Sequence, residues 1–160
     1  MPIRQKITPN FWFDNNAEEA VNFYVSIFND SKIVGITRYT EAGPGAPGSV
    51  CAIGFQLEGQ QFAAINGGPH FQFSAAISMF VDCETQEEID FLWEKLMDGG
   101  RAQQCGWLTD KYGLTWQINS AATIDMLQDP DPQKAQRVMQ AMFAMEKIDI
   151  QALKDAYAGR

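Results

Sequence analysis

The sequence predicts an α+β fold made of two successive βαβββ modules followed by C-terminal helices. Three observations carry that prediction. A strand-then-helix pattern occurs twice, the helical apolar pairs keep the same offsets from their N-terminal caps in both copies, and each helix is followed by three short strand-like runs separated by turn residues. The 160 residues suit one domain or two intimately packed half-domains, with 1–70 and 71–120 as the modules and 121–160 as a helical extension.

In the first module, Ile7 to Phe13 is a β-prone run that ends at Asp14-Asn15-Asn16. Ala17 to Phe28 then reads as an amphipathic helix, with Asn16 and Glu19 in the positions of a capping box. Strands follow at Ile33 to Tyr39, Val50 to Leu57 and Gln60 to Asn66. Glu58-Gly59 is a tight hairpin turn, and the Gly/Pro-rich stretch from Glu41 to Ser49 is a longer loop. The pattern restarts at Ala76 to Asp82, and Thr85 with Glu88 caps the helix Gln86 to Met97. Asn16 and Thr85 lie 69 residues apart, and each has apolar pairs seven and eight, then eleven and twelve, positions downstream. Three more strands are expected near Arg101 to Gln104, Cys105 to Asp110 and Leu114 to Asn119, the last two joined through Lys111-Tyr112-Gly113.

The tail breaks the repeat. Helical patterning covers Thr123 to Leu127, then Gln133 to Met145 after the stop signal Asp129-Pro130-Asp131-Pro132, then Ile150 to Tyr157 behind an Asp149 cap. Val138, Met139, Met142, Phe143 and Met145 make a Met-rich stripe suited to core or interface packing, or to a flexible wall over a ligand.

Apolar residues make up 46% of the chain, including eleven Phe and four Trp, enough for a core. No apolar run reaches the roughly 20 residues of a membrane-spanning helix. A formal charge of −8 with no Lys/Arg cluster argues against nucleic-acid and membrane partners. The three cysteines form no CxxC pair, and the N-terminus runs into Thr8-Pro9-Asn10 without a secretory apolar stretch, so the expected compartment is the reducing cytoplasm.

Several ordered motifs carry a family resemblance. They are Phe11-Trp12-Phe13-Asp14 with Ala17-Glu18-Glu19-Ala20, Phe62-Ala63-Ala64-Ile65-Asn66-Gly67-Gly68-Pro69, Cys105-Gly106-Trp107, Thr115-Trp116-Gln117-Ile118, and Lys147-Ile148-Asp149-Ile150. In these the chain resembles the vicinal oxygen chelate superfamily of glyoxalase I, fosfomycin and bleomycin resistance proteins and extradiol dioxygenases, and most closely its PhnB-like branch. The resemblance implies a paired βαβββ fold, curved into a half-open barrel and commonly homodimeric. It also implies metal-ligand slots on the first and last strands of each module, which fall near Thr8 or Asn10, Asn66, Ala76 or Ser78, and Gln117. These are neutral or lack donors, a poor set for Zn²⁺, Fe²⁺ or Ni²⁺, so no metal and no cofactor is expected. Members of the branch are often labelled ubiquinone-precursor methyltransferases. A nucleotide-type cofactor needs a glycine-rich turn opening a helix, whereas Gly67-Gly68-Pro69 leads into Phe71-Gln72-Phe73 and Gly99-Gly100 follows a helix.

Strand alternation places Asn10 and Trp12 on one face and Phe11 and Phe13 on the other. With Phe11, Phe13, Ile65, Trp116 and Ile118 under the helices, the concave side carries Asn10, Trp12, Phe62, Asn66, Ser78 and Gln117. Aromatic walls with a few amides are the usual make-up of a small-molecule site. His70, the sole histidine, reads as a loop residue, Cys105 as a packed thiol, and Asp110 as a turn residue. The expected function is a homodimeric, sequestering binding protein for a small apolar or amphipathic organic molecule. Two alternatives stay open. One is an isomerase- or lyase-type enzyme using a metal, Cys105, or a water held by Gln117 and Asn66; the other is an interaction protein with a filled cavity.

Overall fold

The computed structural model describes residues 5–160. The expectation about a secretory leader falls partly on residues 1–4, which lie outside that range. The chain divides into two compact units, Met1–Gln72 and Phe73–Arg160.

The first unit runs β1 (Asn10–Phe13), α1 (Ala17–Ile27), β2 (Lys32–Arg38), β3 (Val50–Leu57), β4 (Gln60–Asn66). The second runs β5 (Ser78–Asp82), α2 (Gln86–Met97), β6 (Arg101–Ala102), β7 (Trp107–Thr109), β8 (Thr115–Asn119), then α3 (Ala121–Leu127), α4 (Pro132–Phe143) and α5 (Ile150–Ala158). Each unit thus holds one βαβββ module, and the tail helices belong to the second. The two four-stranded sheets share one topology, β1-β4-β3-β2 and β5-β8-β7-β6. The first and last strands of each module pair in parallel, and the remaining pairs are antiparallel.

Several strands are shorter than their sequence patterns suggest. β1 starts at Asn10 because Pro9 has no N–H to give a ladder, and Ile7 before it is 84% exposed. β7 starts at Trp107 because Cys105 and Gly106 adopt left-handed backbone, with φ of 62° and 80°. The Glu58-Gly59 turn has positive φ at both residues, as the twist of a two-residue hairpin requires. The Thr85 cap forms as expected, its hydroxyl accepting the Glu88 N–H. Asn16 does not cap α1 with its side chain. The Asn66 amide oxygen takes that role from β4 by accepting the Ala17 N–H at 2.9 Å.

In the first unit, Ala17, Ala20, Val21 and Tyr24 of α1 are buried, as are Phe11, Phe55 and Phe62 of the sheet. The rings of Phe55 and Phe62 stack at 5.6 Å, and Phe11 lies 5.7 Å from Phe62. In the second unit, Ile89, Leu92 and Leu96 of α2 are buried with Leu108, Trp116 and Ile118. Asp110 organises the β7–β8 turn. Its carboxylate accepts the N–H groups of Tyr112 and Leu114 and, at 2.8 Å, the Trp116 indole N–H.

The tail is part of this packing. Val138, Ile148 and Leu153 are fully buried. Gln86 grips the chain before α5, donating to the Ile148 carbonyl and accepting the Ile150 N–H. The Cys105 and Gly106 N–H groups donate to the carbonyls of Met145 and Glu146. Glycine is required at 106, since a Cβ there would press on the Ile118 carbonyl oxygen and on Ile148. At the far end the Tyr157 hydroxyl donates to Asp129 at 2.6 Å, and Arg137 donates to the carbonyls of Ala156 and Tyr157.

Two predictions follow from this anchoring. Truncating Ile148 to Ala removes a fully buried side chain and is expected to cost the second unit about 2–5 kcal/mol, read as a lower urea midpoint; an unchanged midpoint would show the tail to be a passive appendage. The Tyr157–Asp129 clasp predicts a pH signature. The Tyr157 hydroxyl, and then the Asp131 backbone N–H, hold the Asp129 carboxyl below the usual range. Asp129 in turn pushes the Tyr157 phenol up. A lowered carboxyl stabilises the fold above its unfolded pKa of about 4 and loses that effect as pH falls through the lowered value. A raised phenol stabilises below about 10 and loses the effect as pH rises. The stability difference between the parent and Tyr157→Phe should therefore be largest from about pH 4 to 10 and shrink outside it. A pH-independent difference in thermal midpoint would contradict the clasp.

Candidate functional site

The parallel register of β5 and β8 sets Ser78 opposite Thr115 and Phe80 opposite Gln117. Gln117 also faces Trp107 across the antiparallel pair of β7 and β8. Alternation therefore gathers Ser78, Phe80, Trp107, Gln117 and Asn119 on one face, while Trp116 and Ile118 are buried on the other. On that first face lies a cleft of about 530 Å³. One side is built from Gln103, Trp107, Gln117 and Asn119, continuing through Gln104 and Cys105. The other side comes from the tail helices, with Ile124 and Leu127 of α3 and Met142 and Phe143 of α4.

Among the described residues, no Asp, Glu, Lys, Arg or His lines this cleft. Its amides are partly committed within the sheet: Gln117 Nε2 donates to Ser78 Oγ at 2.9 Å, and Gln103 Nε2 to Thr109 Oγ1 at 2.7 Å. Asn119 accepts the Ser120 N–H. Burial pushes the Cys105 thiol up, so at neutral pH it is a protonated, weak nucleophile. The cleft can thus hold an uncharged molecule through apolar contact and a few hydrogen bonds.

The first unit has a cleft of different character, about 480 Å³, with Asp14, Glu18, Tyr39, Ser49, Asn66 and His70 among its walls. Half-burial, and then the Cys51 thiol, push the Tyr39 phenol up, so it stays protonated and donates a hydrogen bond to the Asn66 backbone carbonyl at 2.6 Å.

The six residues singled out from the sequence divide between the units. Ser78 and Gln117 come together through their hydrogen bond on the open face of the second sheet. Trp12 is half-buried in the first unit, its indole N–H donating to the Gly68 carbonyl and its ring meeting Phe71 edge-on at 4.9 Å. Asn10 is exposed and donates to the Thr8 carbonyl. Phe62 is corrected. The parallel register pairs Trp12 with Ile65 and Phe11 with Ala64, so Phe62 belongs to the aromatic core beside Phe11 and Ile65 to the Trp12 face, the reverse of the alternation assumed for β4. Asn66 lines the first cleft, but its amide bridges the Ala17 N–H and the Val50 carbonyl. Sequence reasoning missed Gln103 and Trp107, and it offered Met142 and Phe143 as a wall over a ligand without placing them beside Gln117. Trp107 could have been found from its antiparallel register; the others depend on where the loop and tail pack.

The slots that the superfamily uses for a metal do not fit one here. Ala76 offers no donor, Asn66 and Gln117 are uncharged and already hydrogen-bonded, and among the described residues no three His, Cys, Asp or Glu side chains gather. The commitment of Asn66 predicts a stability role. Asn66→Ala leaves the fully buried Ala17 N–H without its acceptor and should cost the first unit about 1–3 kcal/mol in urea unfolding. A midpoint equal to that of the parent would return the amide to the list of free ligand-binding groups.

Comparison with known proteins adds identity to this geometry. Residues 5–119 match the profile of the 3-demethylubiquinone-9 3-methyltransferase family. The chain is 44% identical to the PhnB protein of Bacillus cereus, which carries the same methyltransferase description, over 72% of this chain and 98% of that one, with a TM-score of 0.66. A Pseudomonas aeruginosa protein of known crystal structure shares the fold at 17% identity and a TM-score of 0.60, covering 71% of this chain and 95% of its own. A fosfomycin resistance protein of Listeria monocytogenes, solved with Mn(II) and sulfate, aligns at 13% identity and a TM-score of 0.48 over 71% of this chain and 87% of its own. No protein of curated function matches. The chain therefore belongs to the 3-demethylubiquinone-9 3-methyltransferase family, together with the PhnB protein of Bacillus cereus.

Proposed function

We propose that this protein is a cytoplasmic, homodimeric binding module that sequesters a small uncharged organic molecule in the cleft of its second unit. The observation that carries the reading is the lining of that cleft. In a chain of formal charge −8, it brings four neutral amides, an indole and four apolar tail residues around about 530 Å³ without an ionised group. That volume lies within the roughly 300–1,000 Å³ of ordinary small-molecule sites. Exposed Val34 and Ile36 on the edge strand β2 support self-association, since such edges are usually covered. No described helix is long and apolar enough to cross a membrane.

An enzymatic reading has less support. Cys105 lines the cleft, but burial holds it as the thiol. Methyl transfer draws no support from the glycine pairs, because Gly67-Gly68 opens no helix and Gly99-Gly100 follows α2.

Native mass spectrometry of freshly purified protein, with elemental analysis alongside, tests the proposal. The expected result is a dimer carrying an organic adduct that is retained in Asn66→Ala and lost in Gln117→Leu. A stoichiometric transition metal, or an adduct indifferent to Gln117→Leu, would overturn it.

A further inference from the structure

The cleft of the second unit has two chemically distinct sides, and the assignment of each has consequences for what it holds. The strands and the β6–β7 loop supply hydrogen-bonding groups. Gln117 and Gln103 each tie one end of the amide to a hydroxyl of the sheet, through Ser78 and Thr109, which fixes both side chains; the other end of each amide has no hydrogen bond with the described residues. Trp107 lies between them in the lining, and its indole N–H makes no hydrogen bond with the described residues. The helices α3 and α4 supply only apolar groups, Ile124, Leu127, Met142 and Phe143. These four residues lie beyond the stretch matched by the family profile, which ends at residue 119.

The apolar side is held in place from outside the cleft. Ser120 and Asp131 cap α3 and α4, Val138 is buried one turn before Met142 on α4, and Arg137 ties α4 to the end of α5. Met142 and Phe143 are not needed for that anchoring, and Phe143 remains 56% exposed. A half-buried Met142 and an exposed Phe143 thus line the cleft from a positioned helix, opposite the amides of the sheet. An ion would be disfavoured here, since no lining group carries an opposite charge to offset its desolvation.

We infer that the cleft selects an uncharged amphipathic molecule, its hydrogen-bonding head set against Gln103, Trp107 and Gln117, and its apolar part measured by Met142 and Phe143 of the tail. This rests on the reading of the cleft as the ligand site. The tail is then the specificity element of this chain.

The test uses four probes in isothermal titration calorimetry with the full-length protein: butanamide, hexanamide, hexanoate and hexylammonium. Hexanamide should bind about tenfold more tightly than butanamide, from two further buried methylenes. Hexanoate and hexylammonium should each bind at least about tenfold more weakly than hexanamide, because a buried unpaired charge is costly. In the double variant Met142→Ala, Phe143→Ala the preference for hexanamide over butanamide should fall below about threefold with butanamide unchanged. Gln117→Leu should weaken both amides together. Thermal midpoints of the variants check that the fold is retained, as expected for side chains outside the core.

The outcomes separate the two claims. Amides that bind and respond to Gln117→Leu, while the chain-length preference survives loss of Met142 and Phe143, would overturn the role given to the tail and leave the cleft reading intact. Hexanoate or hexylammonium binding as tightly as hexanamide would overturn the selection of an uncharged molecule. Failure of both amides to bind, or binding indifferent to Gln117→Leu, would overturn the cleft reading and the inference with it.

Discussion

Parallel pairing between the first and last strands of each module is the constraint on which the rest of the structure depends. It brings the C-terminal ends of β1 and β4, and of β5 and β8, to the same end of their sheets, where the chain also leaves for a helix. Backbone groups freed there need partners, and side chains at the strand ends provide them. In the first unit Phe13 is paired with Asn66, whose amide oxygen accepts the Ala17 N–H at the start of α1. In the second unit Asp82 is paired with Asn119; the Asp82 carboxylate accepts the Ala121 N–H at the start of α3, and Asn119 accepts the Ser120 N–H. One register thus anchors different helices in the two units, α1 in the first and the tail helix α3 in the second.

This difference explains what sequence reasoning reached and what it missed. The helices α1 and α2 were legible because their apolar spacing is local, and Thr85 was legible as a cap because its partner lies three residues on. Asn16 had the same local pattern and lost its role to Asn66, a residue 50 positions away that only the β1–β4 register brings near. Phe62 failed for a related reason. Alternation says which residues of one strand share a face, but pairing decides which face of the neighbour they join, and a one-residue difference exchanges the two. Ser78 and Gln117 share one face because their strands had been assigned to the same face and the register agrees. The Met-rich stripe was legible as a packing surface or a wall over a ligand, but which strands it faces was not, since that depends on Gln86 and Gly106 receiving the chain between α4 and α5.

The two clefts also differ in how they relate to charge. The first is bordered by Asp14 and Glu18 near the start of α1, where carboxylates complement the positive helix end and need no ligand to account for them. The second is neutral although twenty acidic residues are available in the chain. Keeping ionised groups out of a concave surface makes its amides the strongest polar groups present, so weak directional bonds rather than ion pairs set the orientation of a ligand there.

Anchoring and cleft formation in the tail are divided between different side chains. The burial that holds the tail falls on Val138, Ile148 and Leu153, and hydrogen bonds at Gln86, Arg137 and Tyr157 fix the segments around them. Met142 and Phe143 take no part in that set, although burying them would bring the ordinary gain of about 1.5–3 kcal/mol for a large apolar side chain. A helix placed only to fill the sheet's open face would direct those residues into it and close the cleft. Val138 anchors α4 one turn before Met142, and the apolar surface that half-buried Met142 and exposed Phe143 still present to the cleft is what a ligand would cover.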